Sequence, residues 1–153
     1  MSDIITMKIS IPSDDDGFVP LRCPSCLEEF RLLVEDIEDE SLIDTWCPGC
    51  GLIHVHYLTG EVEELGSKIV ENLMANLLND AMKDMEKQFR GNKFLKVKAS
   101  KPIKEQAELP IGRPTEYYVV KKCENCKKEA KVTLTRNYVG GYCPHCGDMI
   151  NGS

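Results

Sequence analysis

The longest regular pattern of apolar and polar residues lies between residues 67 and 90. Apolar side chains recur there at the three- and four-residue spacing of one helix face: Ile69, Val70, Leu73, Met74, Leu77, Leu78, Ala81, Met82, Met85 and Phe89. This pattern predicts an amphipathic helix over 67–90. Ser67 is a candidate N-cap, although Glu61, Glu63 and Glu64 also allow an earlier start. Gly91-Asn92 predicts the helix end.

Shorter β-prone runs occur on both sides of this helix. They are Met7–Ile11, Phe30–Val34, Leu52–Leu58, Phe94–Lys98, Tyr117–Val120, Ala130–Thr135 and Tyr138–Tyr142. The last two flank Arg136-Asn137 and predict a hairpin. The acidic stretch Glu35–Asp44 predicts a solvated loop.

These patterns divide the chain into four segments. We predict an acidic ribbon at 1–58, the amphipathic helix at 59–92, a basic linker at 93–116 and a basic ribbon at 117–153. The linker is predicted from Pro102, Pro110, Gly112 and Pro114. The predicted fold class is α+β, with two small antiparallel ribbons joined by the helix and the linker.

The composition is that of a soluble globular chain. The 153 residues are 42% hydrophobic and 29% charged. No apolar run approaches the roughly 20 residues that cross a bilayer. Residues 1–8 lack the pattern of a signal peptide. We therefore expect a cytoplasmic protein without membrane contact.

The eight cysteines form four Cys-x-x-Cys pairs, which group into two quartets: Cys23, Cys26, Cys47 and Cys50, then Cys123, Cys126, Cys143 and Cys146. Two sulfurs three positions apart on a tight turn can bind one tetrahedral ion, and two such turns complete its shell. The spacing therefore predicts two structural Zn²⁺ ions per chain. A disulfide framework, thioredoxin-like redox chemistry and iron–sulfur ligation are the weaker alternatives.

The two quartets are built alike. A proline follows the first cysteine of three pairs (Pro24, Pro48 and Pro144), and a glycine follows each second knuckle (Gly51 and Gly147). An aromatic residue precedes each second knuckle, Trp46 in one half and Tyr142 in the other. This indicates an imperfect internal duplication, or two ribbons built to the same mechanical rules.

The motifs Cys47-Pro48-Gly49-Cys50-Gly51 and Cys143-Pro144-His145-Cys146-Gly147 resemble those of zinc ribbons, the rubredoxin-like and transcription-factor-type class. The resemblance covers residues 18–58 and 117–150. With Asp14–Phe18, a Cys-Pro-Ser-Cys knuckle and Phe30, the chain is similar to a poorly characterised group of bacterial double-ribbon proteins. The resemblance implies that the eight cysteines are the metal ligands, and it implies no catalytic residue.

Charge is distributed unevenly along the chain. Residues 1–66 have a net charge of −12, residues 67–115 of +4 and residues 116–153 of +2. Bases without acids run from Lys87 to Lys104, and five more lie between Lys121 and Lys131 (Lys121, Lys122, Lys127, Lys128 and Lys131). Together with Tyr117, Tyr118, Tyr138 and Tyr142 they are a candidate nucleic-acid surface. A solvated, lysine-rich surface explains the same residues and is the favoured interpretation.

No enzyme motif accompanies the quartets. His54 and His56 would share one face of a strand, but no third ligand is apparent, and His145 lies inside a knuckle. Four thiolates fill the zinc shell and leave no position for water, so we expect no catalysis. The leading hypothesis is a protein-interaction module with a partner or a second copy on helix 67–90. A nucleic-acid-binding factor comes second, and an accessory subunit of an enzyme third.

Overall fold

The computed structural model describes residues 4–98, 100–112 and 117–153. Residues 1–3, Ala99 and 113–116, including part of the predicted linker, lie outside the described residues. The chain divides into two compact units, one formed by Met1–Val62 with Ile111–Ser153 and the other by Glu63–Pro110. The α+β class is confirmed. The four-segment division remains a prediction, although the structure places both ribbons in the same unit.

A four-stranded antiparallel sheet forms the centre of the first unit. Its strands are β1 (Phe18–Arg22), β2 (Glu29–Leu33), β3 (Tyr118–Lys122) and β4 (Glu129–Thr133), in the order β1-β2-β4-β3. Each ribbon contributes one hairpin, and β2 pairs with β4 so that Arg31 lies opposite Lys131. The two ribbons are therefore halves of one sheet.

Equivalent residues of the two halves are 100 positions apart. The strands β1 and β3 begin at residues 18 and 118, and β2 and β4 begin at residues 29 and 129. A short helix follows at the same offset, α1 (Val34–Ile37) in one half and α3 (Leu134–Val139) in the other. Because the central pair is antiparallel, an approximate two-fold axis relates the halves. This arrangement supports the internal duplication.

The core of this unit is small and closely tied to the cysteines. Phe30, Leu32, Tyr57 and Ala130 pack with Cys23 and Cys47 in one buried cluster. The Tyr57 hydroxyl donates to the Thr45 carbonyl over 2.5 Å, and its ring meets Phe30 edge to face. With so few buried apolar side chains, burial alone provides this unit with limited folding free energy.

Three sequence predictions for strands are wrong. Met7–Ile11 and Phe94–Lys98 form no strand, and Leu52–Leu58 contributes only a single bridge, between Trp46 and Ile53. Most of residues 4–11 are exposed, so the apolar side chains that alternate along Met7–Ile11 pack on no apolar surface that would hold them as a strand.

The predicted hairpin around Arg136-Asn137 is also wrong. The Thr133 hydroxyl accepts from the Arg136 backbone N–H as an N-cap, and α3 forms there instead. The strands β5 (Gly140–Tyr142) and β6 (Met149–Asn151) then pair with each other.

The long helix α2 spans Gly60–Phe89, so the earlier of the two predicted starts is the correct one. Acids near an N-terminus favour that start through the helix dipole. The backbone reverses at Gly91, where φ is 108°. Residues 100–110, called the strap here, contact α2 within the second unit. Among the described residues, no helix combines the length and apolar character needed to cross a bilayer.

Candidate metal centres

All four Cys-x-x-Cys turns share one backbone geometry. The N–H four residues after the first cysteine donates to that cysteine's carbonyl over 2.8–3.0 Å, as Leu27 does to Cys23 and Gly51 to Cys47. The donor residue has a positive φ in every turn: Leu27 at 62°, Gly51 at 71°, Lys127 at 62° and Gly147 at 77°. The sequence indicated this conformation only for the glycines. Leu27 and Lys127 adopt it as well, so the turn is retained against a side-chain preference.

The turns bring the predicted sulfurs together in two quartets. Within each quartet all four sulfurs lie within 4.8 Å of one another. The Sγ–Sγ distances are 3.8 Å for Cys23–Cys50 and 3.4 Å for Cys26–Cys47. In the second quartet they are 3.7 Å for Cys123–Cys146 and 3.6 Å for Cys126–Cys143.

These distances fit metal coordination and exclude disulfide bonds. A tetrahedral ion with Zn–S bonds of about 2.3 Å has S–S edges of about 3.8 Å, whereas a disulfide is about 2.05 Å long. All eight cysteines are free thiols in the structure. Each quartet could hold one metal ion, and its donor set is consistent with zinc.

The thiols of each quartet have pKa values shifted in opposite directions. Burial raises the pKa of the Cys47 and Cys143 thiols. Although burial opposes it, backbone N–H groups of the same turn lower the pKa of Cys23 to about 6 and that of Cys123 to about 7. Each quartet thus combines a thiol that ionises readily with one that resists ionisation. A divalent cation among the sulfurs removes this conflict, because it stabilises all four thiolates.

The two centres are joined by reciprocal contacts between their second knuckles. The backbone N–H of Trp46 donates to the Pro144 carbonyl, and the backbone N–H of Tyr142 donates to the Pro48 carbonyl, both over 3.0 Å. Each aromatic ring covers the glycine of the opposite knuckle, so a Cβ on Gly147 would lie 2.8 Å from Trp46 Nε1. The aromatic residue before each second knuckle therefore serves the other half.

A buried charge cluster lies on the approximate two-fold axis. Asp14 Oδ2 is 3.3 Å from Arg31 Nη1 and 2.8 Å from Lys131 Nζ. Asp16 gives Lys131 a second carboxylate at 2.6 Å. The cations lie over equivalent rings, Arg31 over Tyr118 and Lys131 over Phe18. Asp14 thus neutralises two like charges that the β2–β4 register forces together.

Two further ion pairs are related by the same axis but have their signs reversed. Glu28 Oε2 is 3.3 Å from Arg136 Nη2, and Lys128 Nζ is 3.1 Å from Asp36 Oδ1. Positions 28 and 128 correspond, as do positions 36 and 136. Two copies of the N-terminal half would set Glu28 against Asp36, and two copies of the C-terminal half would set Lys128 against Arg136. The charges therefore favour pairing of one half with the other.

Comparison of the chain with protein-family models, with curated proteins and with solved structures finds no significant match.

The histidines form no further cluster. Within 4–98, 100–112 and 117–153, the only groups of three or more His, Cys, Asp or Glu that could hold a metal are the two quartets. His54 and His56 do not lie on a strand, which removes the basis for placing them on one face. His145 is buried, with Nε2 3.1 Å from the Glu129 carbonyl and 3.7 Å from Asp36, so it joins knuckle to sheet rather than facing solvent.

Part of the candidate nucleic-acid surface has other contacts. Lys128 and Lys131 bind carboxylates of the N-terminal half. Arg31 covers the ring of Tyr118, and the Tyr118 hydroxyl donates a hydrogen bond to Glu29 over 3.0 Å. The ring of Tyr142 packs on Gly51. Tyr117 and Tyr138 are exposed. Acids of the N-terminal ribbon thus form ion pairs with lysines of the C-terminal ribbon in the same chain.

No sequence pattern identified the role of Asp14, which the sequence shows only as the first residue of the Asp14–Phe18 motif. The available signal was the 100-residue offset, which aligns Arg31 with Lys131 and so places two cations at equivalent positions. Two aligned, buried cations require a nearby acid.

Proposed function

We propose that each quartet holds one structural zinc ion and that the chain has no catalytic activity of its own. The support is the closed shell: four sulfurs within 4.8 Å of one another, with two edges of 3.4–3.8 Å in each quartet, can occupy every tetrahedral position. Metal analysis of purified protein is expected to find two zinc ions per chain. Iron, or fewer than two zinc ions, would contradict this part of the proposal.

We further propose that the chain is a zinc-stabilised protein-interaction module that binds its partner through α2 and the ribbon surfaces. The observation that supports it is an exposed apolar seam on α2. Its five side chains are 45–55% exposed: Val70, Met74, Leu77, Leu78 and Met85. Apolar residues at this spacing on one helix face are typical of a surface that packs against another protein.

The test compares three forms of the full-length, zinc-loaded chain. Leu77→Asp places a charge in the middle of the seam, whereas Lys83→Gln, which changes the net charge equally at an exposed position on another side of α2, is the matched control. Wild type and control are expected to capture the same partner from native lysate, or to self-associate by light scattering, and Leu77→Asp is expected to do neither. Equal behaviour of all three forms would reject the seam as the binding surface.

Nucleic-acid binding is the competing function, and the same experiment separates it. Two of its predicted lysines already bind acids of the N-terminal half, which leaves Lys121, Lys122, Lys127 and the strip from Lys87 to Lys104 to support it. Capture that disappears after nuclease treatment, with salt-sensitive binding of labelled DNA or RNA at about 50 mM salt, would favour this alternative.

A further inference from the structure

Three asparagines form a row on one face of α2. Asn72, Asn76 and Asn79 are spaced by four and three residues, so their side chains lie along the same side of the helix. The outer two each make a pair of hydrogen bonds to one strap residue. Asn79 Nδ2 donates to the Ile103 carbonyl and its Oδ1 accepts from the Ile103 N–H, both over 2.9 Å.

Asn72 repeats this arrangement at Gln106. Its Nδ2 donates to the Gln106 carbonyl over 2.8 Å, and its Oδ1 accepts from the Gln106 N–H over 2.7 Å. Each of these amides therefore satisfies both main-chain groups of a single residue. Contacts of this kind recognise the backbone; at 106 the glutamine side chain adds one contact of its own, because its Nε2 donates to Glu71.

The spacing selects an extended peptide. Seven residues separate Asn72 from Asn79, which is about 10.5 Å along the helix axis at 1.5 Å per residue. Three residues separate Ile103 from Gln106, which is about 10 Å for an extended chain. A helical segment would cover less than half of that distance. The row therefore fits a peptide that is extended and antiparallel to α2.

Carboxylates add side-chain selectivity to this backbone recognition. Asn76 Nδ2 donates to Glu105 Oε1 over 2.6 Å, and Asn72 Nδ2 also donates to Glu108 Oε1 over 2.7 Å. Hydrogen bonds to charged acceptors are stronger than neutral ones. A glutamate-bearing segment is thus preferred over an apolar one.

The strap covers the row without becoming part of a core. Asn72 is only 6% exposed beneath it, whereas residues 101–110 are all exposed, with Ile103 at 47% and Leu109 at 70%. Polar contacts near the surface contribute about 1 kcal/mol each, so little apolar burial opposes removal of the strap. A few directed hydrogen bonds therefore hold the strap on α2, as they would hold a bound peptide.

We propose that Asn72, Asn76 and Asn79 are a binding site for the main chain of an extended, glutamate-bearing peptide, which the strap occupies in cis. The segment that competes for it in trans belongs to a protein partner and has the same chemistry. This inference rests on the proposed interaction function and names the type of segment that the partner presents.

The test weakens the contacts of the strap with the asparagine row in the full-length, zinc-loaded chain. The double variant Ile103→Pro with Gln106→Pro removes the two backbone N–H groups that donate hydrogen bonds to Asn79 and Asn72. A fluorescent peptide with the sequence of residues 100–110 is then titrated, and its anisotropy is measured. In wild type the tethered strap competes at an effective concentration of the order of mM. We expect the double-proline variant to bind the peptide at least tenfold more tightly than wild type.

Matched controls separate recognition from a change in structure. Lys104→Pro with Ala107→Pro alters neighbouring N–H groups that do not bond to the row, and we expect it to behave as wild type. Asn72→Ala with Asn79→Ala, added to the double-proline variant, is expected to abolish binding. The single variant Ile103→Pro leaves the Gln106 contacts in place and should give an intermediate affinity, which provides a milder test if the double variant loses helix by circular dichroism.

The inference is rejected if the folded proline variants fail to bind the peptide at mM concentration, or if binding survives loss of both asparagines. A peptide with glutamine at 105 and 108 should bind more weakly, and equal binding would reject the selectivity for glutamate. Failure here leaves the Leu77→Asp experiment unaffected. Peptide binding to the row without any partner on the seam would instead reject the proposed function alone.

Discussion

Replacement of Asp14 by asparagine tests the charge cluster that joins the two halves. The carboxylate contacts Arg31 and Lys131, whose side chains are only 5% and 11% exposed. Removing one partner of a buried ion pair costs about 3–5 kcal/mol, because the remaining charge stays uncompensated. Asp16 still contacts Lys131, so the lower end of this range applies. We expect Asp14→Asn to lower the free energy of unfolding by about 3 kcal/mol.

Lys131→Met is the matched control. It removes one of two like charges that face each other in the sheet and leaves the Asp14–Arg31 pair intact. The relief of repulsion offsets the lost pair, so a change within about 1 kcal/mol is expected. Urea unfolding in excess zinc, followed by the fluorescence of the single tryptophan, Trp46, measures both variants. Trp46 covers the opposite knuckle and reports separation of the halves.

The pH dependence gives a second measure of the same contact. Although burial opposes it, hydrogen bonds from Lys131 and from nearby backbone N–H groups lower the pKa of Asp14. A carboxyl whose folded pKa is depressed stabilises the fold above its unfolded pKa of about 3.9, and this stabilisation is lost as the pH falls through the folded value. The gap between wild type and Asp14→Asn should therefore narrow below about pH 4. An Asp14→Asn variant within about 0.5 kcal/mol of wild type at neutral pH, or a Lys131→Met variant equally unstable, would refute this account.

Three further outcomes are expected. Chelation of the metal, or Cys23→Ser or Cys143→Ser, should unfold the corresponding ribbon, since each proposed structural zinc would contribute on the order of 10 kcal/mol; an unchanged circular dichroism spectrum after verified zinc removal would contradict this. Reversal of one charge in Glu28→Arg or Arg136→Glu should cost about 1–2 kcal/mol, and the double reversal should recover at least half of it in a double-mutant cycle; an additive double variant would show that the pair does not interact. Gly147→Ala should cost at least about 2 kcal/mol, because a Cβ meets Trp46 at 2.8 Å and φ is 77°, whereas Gly112→Ala, with no atom within 4 Å of its Cβ, should stay within about 0.5 kcal/mol; equal costs would place the strain elsewhere.

The features that could be predicted from the sequence are those fixed by short spacings. Cysteines three positions apart determine a turn, and α2 follows from a pattern repeated over more than twenty residues. The sequence allows two starts for α2 because two sets of N-terminal signals compete, and the structure shows that the earlier set prevails.

The features that could not be predicted depend on distant partners. Pairing of β2 with β4 joins residues about 100 positions apart and leaves no local pattern beyond the repeat itself. The β-prone residues on either side of Arg136-Asn137 predict a hairpin, whereas the N-cap at Thr133 starts the α3 helix there. The asparagine row was missed because asparagines on a helix are ordinarily solvated, and only the strap contact shows their purpose.

Direct hydrogen bonding of β2 to β4 has a consequence for metal uptake. With zinc bound as proposed, loss of one ion would free a hairpin that supports the inner strand of the other hairpin, so each ion would stabilise the neighbouring site. Loading should therefore be cooperative, with a Hill coefficient between one and two. The chain would then change from empty to filled over a narrower interval of free zinc than a single ribbon, and half-filled molecules would be scarce.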